Sequence, residues 1–270
     1  MDRGMHWILQ DNLFNERNYS DLVTCLERLE IPFDVVKVVP FSHGLPWEER
    51  VQPLVDPQGL VMVSGSISLA TLAKEKGWTP GSFHNENHEF PVWRQHMGDH
   101  LLNHDAIVDT FGNLTHKWDK FFIRPTEDTK SFSGQVMDWV EFETWRHKVL
   151  DLKEYYTTMD ANTPVIMCPI KKIYRESRFF VVDGQVVTGS TYKIGSRVTH
   201  TSEVPPTMWE YAQRMANKWG PSRAYVLDLA LTDDADDGYN KIVEYNCCNC
   251  AGFYEIDIQK WVMAIENMEF

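Results

Sequence analysis

The sequence lacks long apolar runs, and it has few cysteines. No window approaches about 18 consecutive apolar residues, the length of a membrane-spanning helix, so we expect no transmembrane segment. The opening residues, Met-Asp-Arg-Gly-Met-His-Trp, also lack the apolar stretch of a secretory signal peptide. Five cysteines among 270 residues are an odd number and do not suggest a disulfide framework. These absences predict a protein of a reducing cytoplasm.

Basic residues are also scarce relative to acidic ones. The 26 lysines and arginines face 39 aspartates and glutamates, and the formal net charge is -13. Such a chain repels nucleic acid and anionic membranes, so we expect neither as a partner. A local basic pocket for a phosphorylated small molecule is still compatible with this balance. The 43% of apolar residues suffices for a sizeable core, and the length suggests one large or two ordinary domains.

The first part of the chain alternates short strands with helices. Apolar and β-branched runs predict strands at 6–10, 33–38 and 60–63, and helical spacing predicts helices at 19–29 and 66–76. This order favours a small parallel sheet with flanking helices.

The pattern of predicted secondary structure changes near Trp118, where long strands and hairpins begin to dominate. We therefore predict a domain boundary near residue 115, with an α/β domain over 1–115 and a second domain over 116–270. Further predictions are a loop over 79–91 and helices over 92–103, over 139–150 and from Asp257 to the end.

Two strands near the C-terminus carry acidic and amide side chains on one face. In the run 224–231, Asp228 faces away from the alternating apolar residues, and Glu244 and Asn246 share a face of the return strand 241–246. Carboxylates that face each other repel unless a cation lies between them. Oxygen ligands of this kind suit Mg²⁺ bound with a nucleotide. The alternative is an ordinary hairpin with a solvated acidic face.

Basic side chains lie on other predicted strands. Arg124, in the strand 121–125, points away from its apolar neighbours, and Lys130 lies in the polar loop 126–134. Such a loop can close over phosphates and exclude water.

A further hairpin is predicted at Asp183-Gly184, between two β-branched runs. A two-residue turn there pairs Arg178 with Gly189 and Glu176 with Thr191. It places four residues on one face: Glu176, Arg178, Thr191 and Lys193. The alternative is a surface ladder of alternating charges. Together with the acidic face, the basic faces favour Mg-ATP, which needs both signs of charge.

The order of these motifs resembles the ATP-grasp superfamily. The motifs are Phe122-Ile-Arg-Pro, Lys130-Ser-Phe-Ser-Gly, Tyr174-Arg-Glu-Ser-Arg-Phe-Phe-Val-Val, Asp228 and Val243-Glu-Tyr-Asn246. More narrowly, they resemble the clade named for two arginines and a lysine, whose members occur in bacteria and phages. The resemblance covers roughly residues 118–265. It implies an α/β N-terminal domain followed by an α+β ATP-grasp fold, whose two subdomains clasp the nucleotide.

The resemblance also implies roles for individual residues. The segment 164–170 resembles the hinge whose backbone meets adenine. The implied nucleotide-binding residues are Arg124, Lys130, Cys168, Ile170, Lys171 and Glu176. The implied metal ligands are Asp228, Glu244 and Asn246, and the implied catalytic residues are the positively charged Arg178 and Lys193. Which of the last two meets the γ-phosphate, and which the acceptor, stays open.

The chemistry implied by the resemblance is activation of a carboxylate by ATP as an acylphosphate, followed by attack of an amine. The protein then positions the reactants and neutralises charge, without a covalent nucleophile of its own. Small-molecule or peptide carboxylates and amines are the expected substrates. We expect the substrate against the N-terminal domain, where Ser64-Gly65-Ser66 opens a helix; the alternative is that these residues only cap the helix. A homodimer is common among such proteins. The expected location is the cytoplasm, or the host's cytoplasm if a phage encodes the chain.

Two other functions compete with ligation. One is a nucleotide-binding phosphotransferase or regulator. The other is a metallohydrolase built on His96, His100 and His104, which recur every four residues along the predicted helix 92–103. The glutamate of a His-Glu-x-x-His motif is absent, which weakens the second alternative. The single C-x-x-C of Cys247-Cys-Asn-Cys250 is interpreted as a turn of small residues after the metal strand.

Overall fold

A computed structural model describes residues 4–12, 19–39, 45–126, 132–151, 159–234 and 238–270. Contacts divide the chain into two compact units. The first comprises Met1–Asn85, Arg175–Leu229 and Tyr245–Phe270, and the second comprises Glu86–Tyr174 and Ala230–Glu244. The division at residue 115 stays a prediction.

The first unit contains the predicted parallel sheet. Its strands are β1 (His6–Gln10), β2 (Phe33–Val38), β3 (Val51–Gln52), β4 (Val61–Ser64) and β5 (Pro80–Gly81), in the order β3-β2-β1-β4-β5. The helices of this region are α1 (Tyr19–Arg28), α2 (Trp47–Arg50) and α3 (Ile67–Lys76). β1 pairs in parallel with β2 and β4, while β3 pairs antiparallel with β2. The predicted strand–helix–strand order is therefore confirmed.

Local sequence signals explain where α3 begins and ends. The Ser66 hydroxyl accepts a hydrogen bond from the Leu69 amide at 3.3 Å, which satisfies one of the free N–H groups of the first turn. Gly77 ends the helix with φ of 69°, a left-handed conformation that glycine adopts without strain. The capping role suggested for this serine is thus observed directly.

The core of the first unit joins residues that are distant in the sequence. Trp7 is completely buried and packs edge-on against Trp261, with ring centroids 5.4 Å apart. Phe180 lies in the same cluster, 5.6 Å from the Trp261 ring. Each ring of this size buries roughly 150–250 Å², so the cluster contributes several kcal/mol, at about 25 cal/mol per Å².

The second unit contains an antiparallel sheet. Its strands are β6 (Ile107–Thr110), β7 (Lys120–Pro125), β8 (Gln135–Asp138) and β9 (Pro164–Cys168), in the order β6-β9-β7-β8. The α-helices in this part of the chain are α4 (Phe90–Met97) and α5 (Trp139–Asp151). Asp138 and Glu141 exchange reciprocal side-chain to backbone hydrogen bonds at the start of α5, which form a capping box.

The predicted helix over 92–103 is wrong in its bounds. α4 begins at Phe90 and ends at Met97, because Gly98 takes φ of 54° and turns the chain out of the helix. A 3₁₀ turn over Gly98–His100 follows.

A five-stranded sheet is formed by the later part of the chain. Its strands are β10 (Ile173–Val182), β11 (Gln185–Ile194), β12 (Arg197–Thr201), β13 (Ala224–Thr232) and β14 (Asn240–Asn246), in the order β12-β11-β10-β13-β14. The accompanying helices are α6 (Pro206–Lys218) and α7 (Ile258–Glu266), the latter capped by Asp257. The predicted strands 224–231 and 241–246 are confirmed. The last predicted helix begins as expected but ends before the C-terminus.

The hairpin of β10 and β11 turns at Asp183-Gly184, as predicted. The predicted pairing of residues across the two strands is wrong. The observed partners are Ser190 for Arg178, Lys193 for Glu176 and Thr191 for Ser177. Register shifts at Glu176/Ser177 and Phe180/Val181 each add one residue on β11, which is the pattern of a β-bulge. Glu176 and Lys193 therefore meet directly, whereas Thr191 is buried beside Ser177.

Among the described residues, no helix is both long and apolar enough to cross a membrane.

Gly65 offers a test of the packing at the ends of β1 and β4. A Cβ atom there would lie 2.7 Å from the Gln10 Cβ and 2.9 Å from a Leu69 methyl carbon. We expect Gly65→Ala to lower the free energy of unfolding by about 1–3 kcal/mol, because the neighbours must shift. Urea unfolding checks this, with the exposed Gly4→Ala as control, since its Cβ would meet nothing within 4 Å. Equal stability of both variants would contradict the packing.

Candidate active site

The first cluster of the site is built on Asp228, whose side chain is 1% exposed in the middle of β13. Arg178 on the adjacent strand donates from Nε to Oδ1 at 2.9 Å and from Nη2 to Oδ2 at 2.7 Å. Asn246 donates its amide N–H to Oδ2 at 3.2 Å. A bidentate pair of this kind fixes the guanidinium plane and leaves no net charge buried.

The surroundings of Arg178 favour its charged form. Burial acts to lower its pKa, but the Asp228 carboxylate, with smaller contributions from Tyr254 and Tyr192, raises that pKa above the ordinary value. Nη1 also donates to the Gly252 carbonyl at 3.1 Å. Within the described part of the chain, these contacts use three N–H groups and leave one donor on each terminal nitrogen. These two remaining donors suit a phosphate or carboxylate oxygen.

Glu176 organises the neighbouring basic residue. Its carboxylate accepts from Lys193 Nζ at 2.6 Å and from the Tyr192 hydroxyl at 3.1 Å. Glu176 is buried, while the lysine side chain is 39% exposed, so the ammonium lies at the edge of the site. The carboxylate thus orients Lys193 without withdrawing it from a ligand.

In the second unit, Arg124 on β7 forms the other arginine–carboxylate pair. Its Nη1 donates to Glu244 Oε2 in a short hydrogen bond. The guanidinium carbon lies 5.0 Å from the centroid of the Trp93 ring, within the range of a cation–π contact. Its Nε is buried and has no hydrogen-bond partner among the described residues. The strand alternation, which predicted that Arg124 points away from Phe121 and Ile123, does not reveal these partners.

The segment predicted to meet adenine begins in β9 and leaves the sheet after Cys168. The thiol is buried and donates to Asn103 Oδ1 at 3.2 Å. Burial and the nearby Asp105 carboxylate raise the pKa of Cys168 to about 12, so it is a neutral thiol. Ile170 is half exposed, and Lys171 Nζ lies 2.6 Å from Asp105 Oδ2. Lys130, the predicted residue of the phosphate loop, lies outside the described residues.

The predicted metal ligands fit a hard cation by their chemistry. Glu244 and Asn246 are two residues apart on β14 and so point to one face, while Asp228 contacts Asn246. As residue types, two carboxylates and an amide suit Mg²⁺, which also accepts phosphate oxygens. No group of three His, Cys, Asp or Glu residues in the described ranges is arranged to hold a metal.

The histidine alternative has no comparable support. His96 lies within α4, but Gly98 ends that helix, so His100 and His104 do not continue its face. His104 Nδ1 lies 3.1 Å from the Leu101 carbonyl. The regular four-residue spacing in the sequence therefore does not produce a row of ligands.

Sequence reasoning missed the aromatic rings on both arginines. Trp93 faces Arg124, and the rings of Tyr254 and Tyr192 face Arg178 at 4.9 Å and 5.8 Å. Only the abundance of aromatic residues hinted at such contacts, and abundance does not indicate which ring meets which cation.

The sequence matches a known protein family over most of its length. The model of the ATP-grasp domain for family 3 of the clade named for two arginines and a lysine matches residues 57–265. The chain belongs to this family. Membership places it among the ATP-dependent ligases and confirms the resemblance seen in the strand motifs. No curated protein matches the sequence.

Solved structures show the same fold. They include the ATP-grasp ligase PsnB complexed with minimal precursor, at 12% identity and TM-score 0.54 over 97% of this chain and 98% of that one. D-alanine–D-alanine ligase from Bacillus anthracis aligns at 12% identity and TM-score 0.59, over 97% of this chain and 92% of that one. A RimK domain ATP-grasp protein from Sphaerobacter thermophilus DSM 20745 has 14% identity, TM-score 0.58 and coverages of 89% and 90%. This ATP-grasp chain therefore shares their fold along most of its length.

The pair of Arg178 and Asp228 is predicted to stabilise the protein through burial. Arg178→Gln leaves a buried carboxylate without its counter-charge, which we expect to lower the free energy of unfolding by about 3–5 kcal/mol. Arg223 forms an equally bidentate pair with Asp183, but each of those side chains is 45% exposed. Arg223→Gln should therefore cost at most about 1 kcal/mol. Urea unfolding followed by circular dichroism compares them, and equal losses would refute the role of burial.

Proposed function

We propose that the protein is a Mg-ATP-dependent ligase of the carboxylate–amine type that acts through an acylphosphate. The observation that carries this proposal is the pair of arginine–carboxylate contacts, Arg178 with Asp228 and Arg124 with Glu244, in a chain of the ATP-grasp family. Each pair joins a candidate phosphate-binding cation to a candidate metal ligand. Such a site contains both charges that Mg-ATP requires.

The basic residues form the nucleotide half of the proposal. Arg178 keeps donors on its terminal nitrogens, and Arg124 keeps a buried donor at Nε without a partner in the described ranges. We assign both to phosphate oxygens, with Lys193 at the edge toward the acceptor and Lys130 in the loop over the phosphates. The backbone around Cys168 and Ile170 and the side chain of Lys171 are assigned to the adenosine end, and Glu176 to orienting Lys193.

Mg²⁺ would be held by Asp228, Glu244 and Asn246. When bound, the ion supplies neutralisation of the phosphate charge that builds up during phosphoryl transfer. The residues around it bind and orient the nucleotide and exclude water. Their contribution to the rate is therefore positioning and charge, which in preorganised sites lowers barriers substantially.

The cysteines support a mechanism without a covalent enzyme intermediate. Cys168 is buried, with its pKa raised to about 12, and burial also raises the pKa of Cys248 well above its ordinary range. Since a thiol attacks as its thiolate, neither is a competent nucleophile near neutral pH.

The names of the structural neighbours guide the choice of substrates. One solved PsnB complex contains a precursor peptide and AMPPNP, and another neighbour is a D-alanine–D-alanine ligase. These names favour a peptide or amino-acid carboxylate and an amine as the two substrates of this chain. We further propose that it acts in the cytoplasm, or a host's cytoplasm if a phage encodes it, and forms a homodimer.

Calorimetry tests the metal and nucleotide assignments together. We expect wild-type protein to bind ATP only when Mg²⁺ is present, and Asp228→Asn combined with Glu244→Gln to lose binding, because two anionic ligands are removed. Glu244→Gln alone, at a side chain that is 29% exposed, should weaken binding and keeps the test valid if the double variant unfolds.

A matched control removes two carboxylates elsewhere. Glu49 and Asp56 are exposed, so Glu49→Gln with Asp56→Asn makes the same change of net charge and should leave ATP binding unaltered. Affinity like that of wild type in the folded Asp228 and Glu244 variants would refute the metal assignment. Release of ADP and phosphate only with a carboxylate and an amine together supports ligation. A stable phosphorylated product without coupled amine would instead show phosphotransfer.

A further inference from the structure

The loop between β14 and α7 carries a tyrosine against the arginine of the site. The Tyr254 ring centroid lies 4.9 Å from the guanidinium carbon of Arg178, and the Gly252 carbonyl, in the same loop, accepts from Nη1 at 3.1 Å. The loop therefore contacts Arg178 both through a carbonyl that accepts from Nη1 and through a ring that lies beside the guanidinium carbon. Both contacts are additional to the bidentate bond with Asp228.

The backbone of Tyr254 is strained where its ring contacts Arg178. Its φ is 52°, in the left-handed region that a residue with a Cβ rarely adopts. Flanking residues hold the loop in this shape. Phe253 is buried against Phe180 and Trp261, with ring centroids 5.8 Å and 5.0 Å away, and the Asp257 amide donates to the Thr188 hydroxyl at 2.9 Å.

A second tyrosine, Tyr192 on β11, packs against the Tyr254 ring. Tyr192 stacks on Tyr254 with centroids 5.1 Å apart and planes inclined by 22°, and its hydroxyl donates to Glu176. Tyr192 is the extra residue that the bulge in β11 inserts between Thr191 and Lys193. The bulge thus brings a ring to the face of the site that a regular ladder would not place there.

We propose that Tyr254 is a positioning residue that sets the tilt of the Arg178 guanidinium toward a phosphate oxygen. A bidentate carboxylate fixes the group within its own plane, but it resists rocking out of that plane only weakly. The Tyr254 ring, whose centroid lies 4.9 Å from the guanidinium carbon, opposes that rocking through cation–π attraction and contact. The remaining donors on the terminal nitrogens then point in one direction. This inference rests on the proposed function, because it takes the partner of Arg178 to be a phosphate of ATP.

Binding of two probes separates positioning from simple packing. Calorimetry with Mg·AMPPNP and with adenosine is performed on wild type, Tyr254→Leu and Tyr254→Phe. We expect Tyr254→Leu to weaken Mg·AMPPNP binding about tenfold, which lies between the sizes of an exposed and a desolvated cation–π contact, with adenosine affinity unchanged. Tyr254→Phe keeps the ring and should bind both probes like wild type. Tyr254→Gly removes the ring without backbone strain and serves if the leucine variant misfolds.

Two further variants show whether the effect passes through Arg178. Tyr239 also has a left-handed backbone, with φ of 68°, and its described hydrogen bonds are those that its carbonyl accepts from Thr232, so Tyr239→Leu should change neither affinity. In an Arg178→Lys background, Tyr254→Leu should no longer weaken Mg·AMPPNP binding, since the planar group it positions is gone.

The outcomes distinguish this inference from the proposed function. A wild-type protein that fails to bind Mg·AMPPNP refutes the proposed function. A wild-type protein that binds it, with a folded Tyr254→Leu variant of unchanged affinity, refutes the positioning role alone. Parallel weakening of AMPPNP and adenosine, or a full effect in the Arg178→Lys background, also overturns it, because either result shows a general packing defect.

Discussion

A carboxylate buried in the middle of β13 imposes the main constraint on this site. Asp228 lies in a strand whose neighbours are nearly all buried, and an isolated charge there would be strongly destabilising. Arg178 neutralises it with two hydrogen bonds, and Asn246 adds a third. The positions of the flanking groups follow from this arrangement. The Gly252 carbonyl accepts a further hydrogen bond from Arg178, and the Tyr254 ring lies beside the guanidinium carbon.

Arg124, like Arg178, contacts both a carboxylate and an aromatic ring. Arg124 combines a carboxylate, Glu244, with the face of an indole ring, Trp93. In both cases the carboxylate fixes charge and direction, while the aromatic group limits the freedom of a long side chain at little desolvation cost. Preorganisation of this kind lowers the entropy that a phosphate must overcome on binding. The repeated pattern is consistent with the membership in the ATP-grasp family.

Much of the fold could be predicted from local patterns, because those patterns depend on nearby residues. The turn at Asp183-Gly184 and the alternating faces of β14 follow from turn chemistry and strand alternation. The register of β11 could not be predicted in this way, because packing on both sides of a strand determines where a bulge forms. One added residue in β11 pairs Glu176 with Lys193 and moves Thr191 away from Glu176. Arg178 and Asp228 are each predicted as site residues from the sequence, yet their pairing joins strands that are distant in the sequence.

The contact between Trp7 and Trp261 has a consequence for how the chain acquires its structure. β1 precedes α7 in the sequence, and Trp7 of β1 packs against Trp261 of α7. This contact cannot form until the residues between the two rings have been synthesised, and such non-local contacts form slowly. Until α7 has been made, the Trp7 ring lacks this partner, and exposed apolar surface of this kind favours aggregation.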